Sequence, residues 1–306
     1  MFLLISAPEK GMPDKMKFFI RHRTRLYITA VLCLFLLAGA IGMVALPQYA
    51  YALRVTMKRV IFEGPRRTEL LTIVNNTAEE QVFRLGWRNM RMSEDHSLEF
   101  VKEGDSLEGL KPAEDMVRFS PRRVVLPPGA SQQIRLMLRR PKDLPEGEYR
   151  SHFWIQPEAE AVKFKPNPEK KNEKGPTVQI KMLTGMTVPV FVRNGNLTAN
   201  VTFSNATITP EGNGIKVKLT VNREGQRSVY GDMKLYCVGS GGEVLQRESN
   251  GIAIYTEVGK RNMEFDVPFP EAGGADACRQ IRVKYVAVDD DSQYKGAVMA
   301  ETTIGG

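Results

Sequence analysis

From Leu53 to the C-terminus, apolar and polar residues alternate in short runs, and almost no stretch repeats with the period of an amphipathic helix. In the run QQIRLMLRR (132–140), every second residue from Ile134 to Leu138 is apolar, while Arg135 belongs to the opposite face. Gly, Pro, Asn and Asp residues separate such runs. This pattern is typical of β-sandwiches and predicts an all-β fold.

The cluster Asn194-Gly195-Asn196 divides this all-β part of the chain. Before it we expect one Ig-like sandwich domain over residues 53–193. After it, seven apolar-rich runs suit a second Ig-like sandwich domain over residues 194–306. These runs span 197–204, 214–222, 228–238, 252–256, 262–267, 279–288 and 296–304.

Three runs of the first half predict particular strands. Residues 67–76 and 80–89 are interpreted as two neighbouring strands joined by a polar turn. Residues 177–193 predict a long strand that Gly185 and Pro189 interrupt. Because a central strand tolerates such residues poorly, this strand is expected to lie at an edge or to change partners midway.

Residues 1–52 have the layout of a secretory signal peptide, with the true start at Met16. Basic residues over Lys17–Arg25 precede an apolar stretch, and Ala50-Tyr51-Ala52 fits the cleavage site. Ile28–Leu46, however, is 19 residues without a charge, long enough to span a bilayer as an uncleaved anchor. Both alternatives place the rest of the chain in an oxidising compartment.

Three cysteines occur, and Cys33 lies in the apolar leader. Cys237 and Cys278 are therefore the pair that could form one disulfide, or they are two buried thiols. Their spacing of 41 residues fits no metal motif, and we predict no metal site and no cofactor.

Catalysis is not expected. The chain has only three histidines, and it lacks the motifs of nucleotide, zinc and thiol enzymes. The net charge of +8 falls to +4 without the leader, which argues against nucleic acid as a partner. The acidic run 289–291 lacks the glycine and glutamate of a calcium loop and is interpreted as solvated surface. No small-molecule substrate is indicated.

Four segments together resemble one family, and the resemblance covers nearly all of residues 53–200. They are MKRVIFEG (57–64), PRRVVLPPGASQQIRLML (121–138), LPEGEYRSHFWI (144–155) and TVPVFVRNGNL (187–197). As a set they look like the periplasmic pilus-assembly chaperones of the chaperone–usher class, in its archaic or alternative branch. The resemblance implies two sandwiches in a boomerang arrangement, pilus subunits and an outer-membrane usher as partners, and the periplasm of a Gram-negative bacterium.

In that family the chaperone lends an edge strand to a subunit whose own sandwich lacks one, without ATP. The resemblance places this donor strand at 177–192. The side chains that would enter the subunit are Val178, Ile180, Met182 and Thr184. Later residues of the same parity, such as Val188, are expected to reach the chaperone's own core. The Lys- and Pro-containing stretch 157–176 is interpreted as a mobile loop before the donor strand.

The family also holds the subunit's C-terminal carboxylate in a basic cleft. By position, Arg59 matches the first-strand arginine, and Arg193 and Arg150 are further candidates. The better-known branch adds a lysine four residues before the arginine of the last strand, but Pro189 stands there in this chain. The strand with Arg135 and the strand GEYRSHFWIQ are expected to form the sheet beside the donor strand.

Two other classes of function remain open from the sequence. The first is a membrane-anchored or surface-exposed Ig-like structural or adhesive protein, in which Ile28–Leu46 stays in the bilayer. An uncleaved leader would also give a chaperone a transient membrane contact. The second is a hydrolase on a β-sandwich scaffold, which the scarcity of histidine disfavours.

Overall fold

The computed structural model describes residues 53–93, 95, 97–102, 104–158, 184–239, 241–271, 274–288, 291 and 293–305. They belong to one compact unit that runs from residue 51 to residue 306. The leader predictions lie outside the described residues, as do Val178, Ile180, Met182 and all but the first two residues of the predicted loop 157–176. None of the helical segments in the described part has the length and apolar character that crossing a membrane requires.

The first β-sandwich is formed by the strands up to Asn194. They are β1 (Leu53–Val55), β2 (Val60–Phe62), β3 (Thr68–Asn75), β4 (Gln81–Arg88), β5 (Met90–Met92), β6 (Leu98–Phe100), β7 (Val117–Ser120), β8 (Arg123–Leu126), β9 (Ser131–Leu138), β10 (Gly147–Pro157) and β11 (Met186–Asn194). One sheet has the order β1-β3-β9-β7 and the other β2-β11-β10-β4-β8, and β5 and β6 form a separate hairpin. A 3-10 helix at Glu114–Met116 precedes β7.

Alternation along the strands builds the core between these two sheets. In β9, Ile134 and Leu136 are fully buried and Arg135 is exposed, so the predicted faces are confirmed. Phe153 of β10 is also fully buried, and its ring meets the ring of Phe119 edge-on at 4.9 Å between centroids. Edge-to-face packing of this kind adds to the burial of apolar area.

Strand β11 continues the first core and is an edge strand over only part of its length. Its whole length pairs antiparallel with β10, and Val188, Val190 and Val192 are buried in the first core, as their parity predicted. Val190–Val192 also pairs parallel with β2. The prediction of an edge strand as far as residue 192 is therefore wrong for this segment. Among the described residues, Met186–Pro189 has a ladder partner on one side only.

Two other strand predictions need correction. β3 and β4 exist where they were predicted, but they belong to different sheets, because the turn between them crosses from one layer to the other. The strand with Arg135, β9, pairs with β3 and β7 in the layer opposite β11. Of the two strands expected beside the donor strand, β10 pairs with β11 and β9 does not, so half of the expected pair is confirmed.

The second β-sandwich is formed by seven strands, the number that the sequence predicted. They are β12 (Ala199–Glu211), β13 (Gly214–Gly225), β14 (Val229–Gly239), β15 (Gly242–Ile254), β16 (Lys260–Pro268), β17 (Gln280–Ala287) and β18 (Val298–Gly305). The sheets have the orders β12-β13-β16 and β15-β14-β17-β18. The predicted run 252–256 is only the end of β15, whose first ten residues are mostly polar and exposed.

A disulfide links Cys237 of β14 to Cys278, the last residue of a 3-10 helix at Gly274–Cys278. Both cysteines are buried in the core of the second sandwich, with their Cα atoms 4.5 Å apart. The bond closes a loop across 41 residues and fastens the segment before β17 to the C-terminal part of β14.

Candidate functional site

The site is built where the two sandwiches meet, and buried ion pairs form much of this junction. Arg227 comes just before β14 and is completely buried. Its Nη1 donates to Glu63 Oε1, after β2 of the first sandwich, at 2.8 Å, and its Nη2 donates to Asp291 Oδ1 at 2.9 Å. Burying an arginine requires such partners, because an unpaired charge in a low-dielectric interior is costly.

The acidic run 289–291 was interpreted as solvated surface, and this interpretation is wrong for Asp291. Its side chain is buried and accepts hydrogen bonds from Arg227 and from the backbone N–H groups of Gln293 and Tyr294. Burial alone would raise the pKa of this carboxyl. The Tyr294 N–H, the Arg227 guanidinium and the Gln293 N–H together hold the pKa below its usual range.

Arg193 and Arg150 bind carboxylates of the protein itself. The Nε of Arg193 donates to Glu148 Oε2 at 2.9 Å, and the other oxygen of Glu148 accepts the N–H of Ser228 at 3.1 Å. Arg150 forms a bidentate ion pair with Glu257, in which Nη2 donates to Oε1 at 2.6 Å and Nη1 donates to Oε2 at 3.0 Å. The buried pair of Arg150 and Glu257 joins the two sandwiches directly. Arg193 and Glu148 both belong to the first sandwich, and Glu148 reaches the second through its hydrogen bond with Ser228.

Arg59 is the candidate that lines a large cleft. It directly precedes β2, its side chain is buried, and its guanidinium lies 4.4 Å above the ring of Tyr230 of β14. The cleft encloses about 620 Å³, a volume typical of ligand sites. The first sandwich contributes residues 56–59 to its wall. The second contributes Tyr230, Asp232, Glu248, Asn250, Gly251 and Val288.

The structure does bring the three candidate arginines near one another. Arg59 and Arg193 line a small cavity of about 20 Å³ together with Tyr255, and the Tyr255 ring lies 3.7 Å from the Arg150 guanidinium. Burial raises the pKa of Tyr255 to about 12, so its hydroxyl stays protonated. A cavity of this size holds a single water molecule and cannot receive a peptide end.

Lys58 is a residue of the site that the sequence reasoning missed. It is exposed and lines the large cleft beside Arg59. The signal was present in MKRVIFEG, where two basic residues stand together, but only the second had a counterpart in the family pattern. Lys58 adds a second positive charge to the wall that Arg59 lines.

A second groove, of about 300 Å³ and more apolar than the cleft beside Arg59, lies next to Met186–Pro189, the part of β11 that has a pairing partner on one side only among the described residues. Its lining includes Leu53 and Val55 of β1 and Met186–Val188 of β11. Met57 and Lys58 line both this groove and the charged cleft, so the two openings adjoin at these residues. An extended chain lying along the free side of β11 would therefore have a path into the cleft. Thr184, the one described residue of the predicted donor set, is exposed and precedes β11.

Within the described ranges, no group of three His, Cys, Asp or Glu side chains is arranged so that it could hold a metal ion. The junction contains fixed charges and an aromatic ring under a guanidinium. Among the described residues it also has a strand edge, in β11, that is only partly paired. Features of these kinds bind charged groups and extended peptides.

Several solved structures of fimbrial chaperones are similar to this chain. The YadV chaperone is 12% identical over 83% of this chain and 100% of that chain, with a TM-score of 0.41. The Pseudomonas aeruginosa CupB2 chaperone is 13% identical over 83% of this chain and 100% of that chain, with a TM-score of 0.39.

A third structure is a chaperone–tip adhesion subunit pre-assembly complex, CsuC–CsuE, from the archaic chaperone-usher Csu pili of Acinetobacter baumannii. It is 8% identical over 70% of this chain and 90% of that chain, with a TM-score of 0.38. No protein-family model and no curated protein matches the sequence. These likenesses are low in both identity and TM-score.

Proposed function

We propose that this protein is a periplasmic chaperone that binds pilus subunits by donor-strand complementation and passes them to an outer-membrane usher without ATP. The observation that carries the proposal is the one-sided stretch Met186–Pro189 of β11, whose apolar groove adjoins a cleft lined by Lys58 and Arg59. Two of the four sequence segments that resemble the pilus chaperones, MKRVIFEG and TVPVFVRNGNL, contribute residues to the walls of these two openings.

Strand addition explains why such an edge would be kept. An incoming strand gains backbone hydrogen bonds along a free edge, and its alternate side chains fill pockets. An unpaired apolar edge is otherwise an aggregation hazard. In this proposal the segment before β11, with Val178, Ile180, Met182 and Thr184, extends the same edge and enters the subunit's groove. Domain 53–193 would be the subunit-binding domain, and domain 194–306 would complete the cleft and contact the usher.

The cleft would hold the subunit's C-terminal carboxylate on Arg59, with Lys58 in the role of the lysine lost at Pro189. Arg59 is fixed by its stacking on Tyr230, so little conformational entropy is lost when a carboxylate binds. Lys58 is exposed and flexible, and its contribution is expected to be smaller. Arg150 would act indirectly, by holding the two walls of the cleft together through Glu257, and Arg193 by positioning Glu148 for its hydrogen bond with Ser228.

Secretion accords with this proposal. Residues 1–52 would direct export, by cleavage or as an anchor, and the disulfide between Cys237 and Cys278 suits an oxidising compartment such as the periplasm. The proposed function needs neither a cofactor nor a nucleotide.

The test is the recovery of tagged full chain from a periplasmic extract of its host, with intact-mass analysis of what it retains. Wild type is expected to retain a small β-rich subunit. Arg59→Ala is expected to retain about tenfold less, because it removes a buried charge that faces the carboxylate, and Lys58→Ala about threefold less. Arg66→Ala is the matched control, since Arg66 is exposed and its one ion pair among the described residues is with Glu69.

Thermal melts of all four proteins separate lost binding from lost folding, and Arg59→Lys keeps the charge if alanine destabilises the chain. Retention by Arg59→Ala at the wild-type level would contradict the carboxylate site. If wild type retains no subunit at all, the chaperone function fails and the structural or adhesive alternative takes its place.

A further inference from the structure

The cleft beside Arg59 carries both signs of charge. Lys58 and Arg59 form the basic wall on the first sandwich, and Asp232 and Glu248 stand in the wall of the second sandwich. Within the described part of the chain, no ion pair joins Lys58 to either carboxylate. Glu248 lies 3.4 Å from Lys234 and is partly neutralised by it. Asp232 is therefore the stronger source of negative charge in the cleft.

Asp232 is held in place by an irregularity of the sheet. Between β14 and β15, Asn250 and Gly251 stand together opposite Asp232, which is a β-bulge. The N–H of Gly251 donates to Asp232 Oδ1 at 2.9 Å. Gly251 has a φ of +74°, and a Cβ at this position would lie 2.8 Å from the Tyr230 hydroxyl. The bulge thus fixes the carboxylate and leaves room for the ring beneath Arg59.

A terminal carboxylate alone would pair with only one of the two charged walls of this cleft. It would bind the basic wall, while the opposite wall would repel it and would gain nothing from it. A carboxylate ion accepts about four hydrogen bonds, and Asp232 uses one oxygen on Gly251, so it can still bind a cationic group. A ligand that carries both a carboxylate and a nearby positive charge would satisfy both walls.

We infer that the cleft selects C-terminal tails in which a Lys or Arg side chain lies next to the terminal carboxylate. The carboxylate is bound by Arg59 and Lys58, and the cationic side chain is bound by Asp232, with Glu248 as its neighbour. This inference rests on the proposed function and adds to it the chemical class of the tail that the chaperone accepts.

The experiment measures the binding of fluorescein-labelled hexapeptides of alternating Thr and Val to the purified full chain. One peptide has Lys as its next-to-last residue, a second has Ala there and a third has Glu, all with a free carboxylate. A fourth is the Lys peptide with a C-terminal amide. The protein variants are Asp232→Asn and Glu248→Gln. Asp232→Asn keeps an oxygen that can accept the Gly251 N–H, so it removes the charge without removing the bulge.

Wild type is expected to bind the Lys peptide about fivefold more tightly than the Ala peptide, and the Glu peptide more weakly than either. Asp232→Asn should abolish this preference and should bind the Ala peptide at least as tightly as wild type, because a charge that repels the carboxylate is gone, and Glu248→Gln should reduce the preference. Equal binding of the Lys and Ala peptides by wild type would overturn the inference, and so would a preference that survives in Asp232→Asn.

The amide peptide separates this inference from the proposed function. If the free carboxylate strengthens binding but Lys gives no advantage, the selection of basic tails is wrong and the carboxylate site stands. If the amide binds as tightly as the free acid, or if no peptide binds, both fail.

Discussion

Replacing Glu257 by alanine is expected to lower the free energy of unfolding by about 3–5 kcal/mol, the usual cost of removing one partner of a buried ion pair. Both side chains of the Arg150–Glu257 pair are almost completely buried, and their oxygen and nitrogen atoms lie 2.6 and 3.0 Å apart. Glu257 Oε1 also accepts the N–H of Met92 at 2.9 Å. The variant would leave the guanidinium of Arg150 buried against Tyr255 without its counter-charge.

Urea unfolding of the full chain, followed by circular dichroism, measures this change. Glu224→Ala is the matched control, because Glu224 is exposed on the same side of the second sandwich, and it should change stability by no more than about 0.5 kcal/mol. The double variant Arg150→Met/Glu257→Leu should recover much of the loss, since apolar residues of similar size can replace a buried pair. If Glu257→Ala costs no more than Glu224→Ala, the pair does not hold the junction.

Replacing His152 by phenylalanine is expected to make the protein more resistant to acid. His152 is buried, and neither ring nitrogen has a hydrogen-bond partner among the described residues. Burial, with the nearby charge of Arg150, lowers the pKa of His152 from 6.5 to about 3. Between these two values the unfolded chain binds a proton that the folded chain refuses, so stability falls as the pH falls through this window.

The slope is about 1.4 kcal/mol per pH unit below about pH 6.5, which amounts to about 3 kcal/mol at about pH 4.5. Urea midpoints of wild type and His152→Phe at about pH 7.5 and pH 4.5 measure it. Carboxylates that titrate in both proteins cancel in the comparison, and any packing cost of the larger ring is equal at the two pH values. A stability difference between the proteins that does not change with pH would contradict a buried, neutral histidine.

The sequence predicted the strands well because their alternation is a local property. In β9 the faces of Ile134 and Arg135 follow directly from a period of two, and Val188, Val190 and Val192 lie in the first core for the same reason. Strand β15 was largely missed because its first ten residues are mostly exposed and polar, so their sequence resembles a loop. Its membership of the sheet depends on its neighbour β14.

The pairing of strands could not be predicted, because it depends on residues that are far apart in the chain. β3 and β4 follow each other closely and still lie in different layers. The same limit applies to the arginines. Arg150 and Glu257 are separated by 107 residues, and nothing in either neighbourhood indicates the other. Arg59 was predicted as a site residue from a family pattern. Lys58 and Asp232 were not, because only the folded chain brings them together in one cleft.

Alternate side chains of the segment before β11 are proposed to enter a bound subunit, and one pair of variants compares the two faces of this segment. Ile180→Asp places a charge on the face proposed to enter the subunit, and Gln179→Asp places the same charge one residue away on the opposite face. The measurement is the amount of subunit that each full-length variant retains from periplasmic extract, relative to wild type. Ile180→Asp is expected to lose the subunit and Gln179→Asp to keep it. Equal retention by the two variants, whether high or low, would contradict donor-strand complementation by this segment.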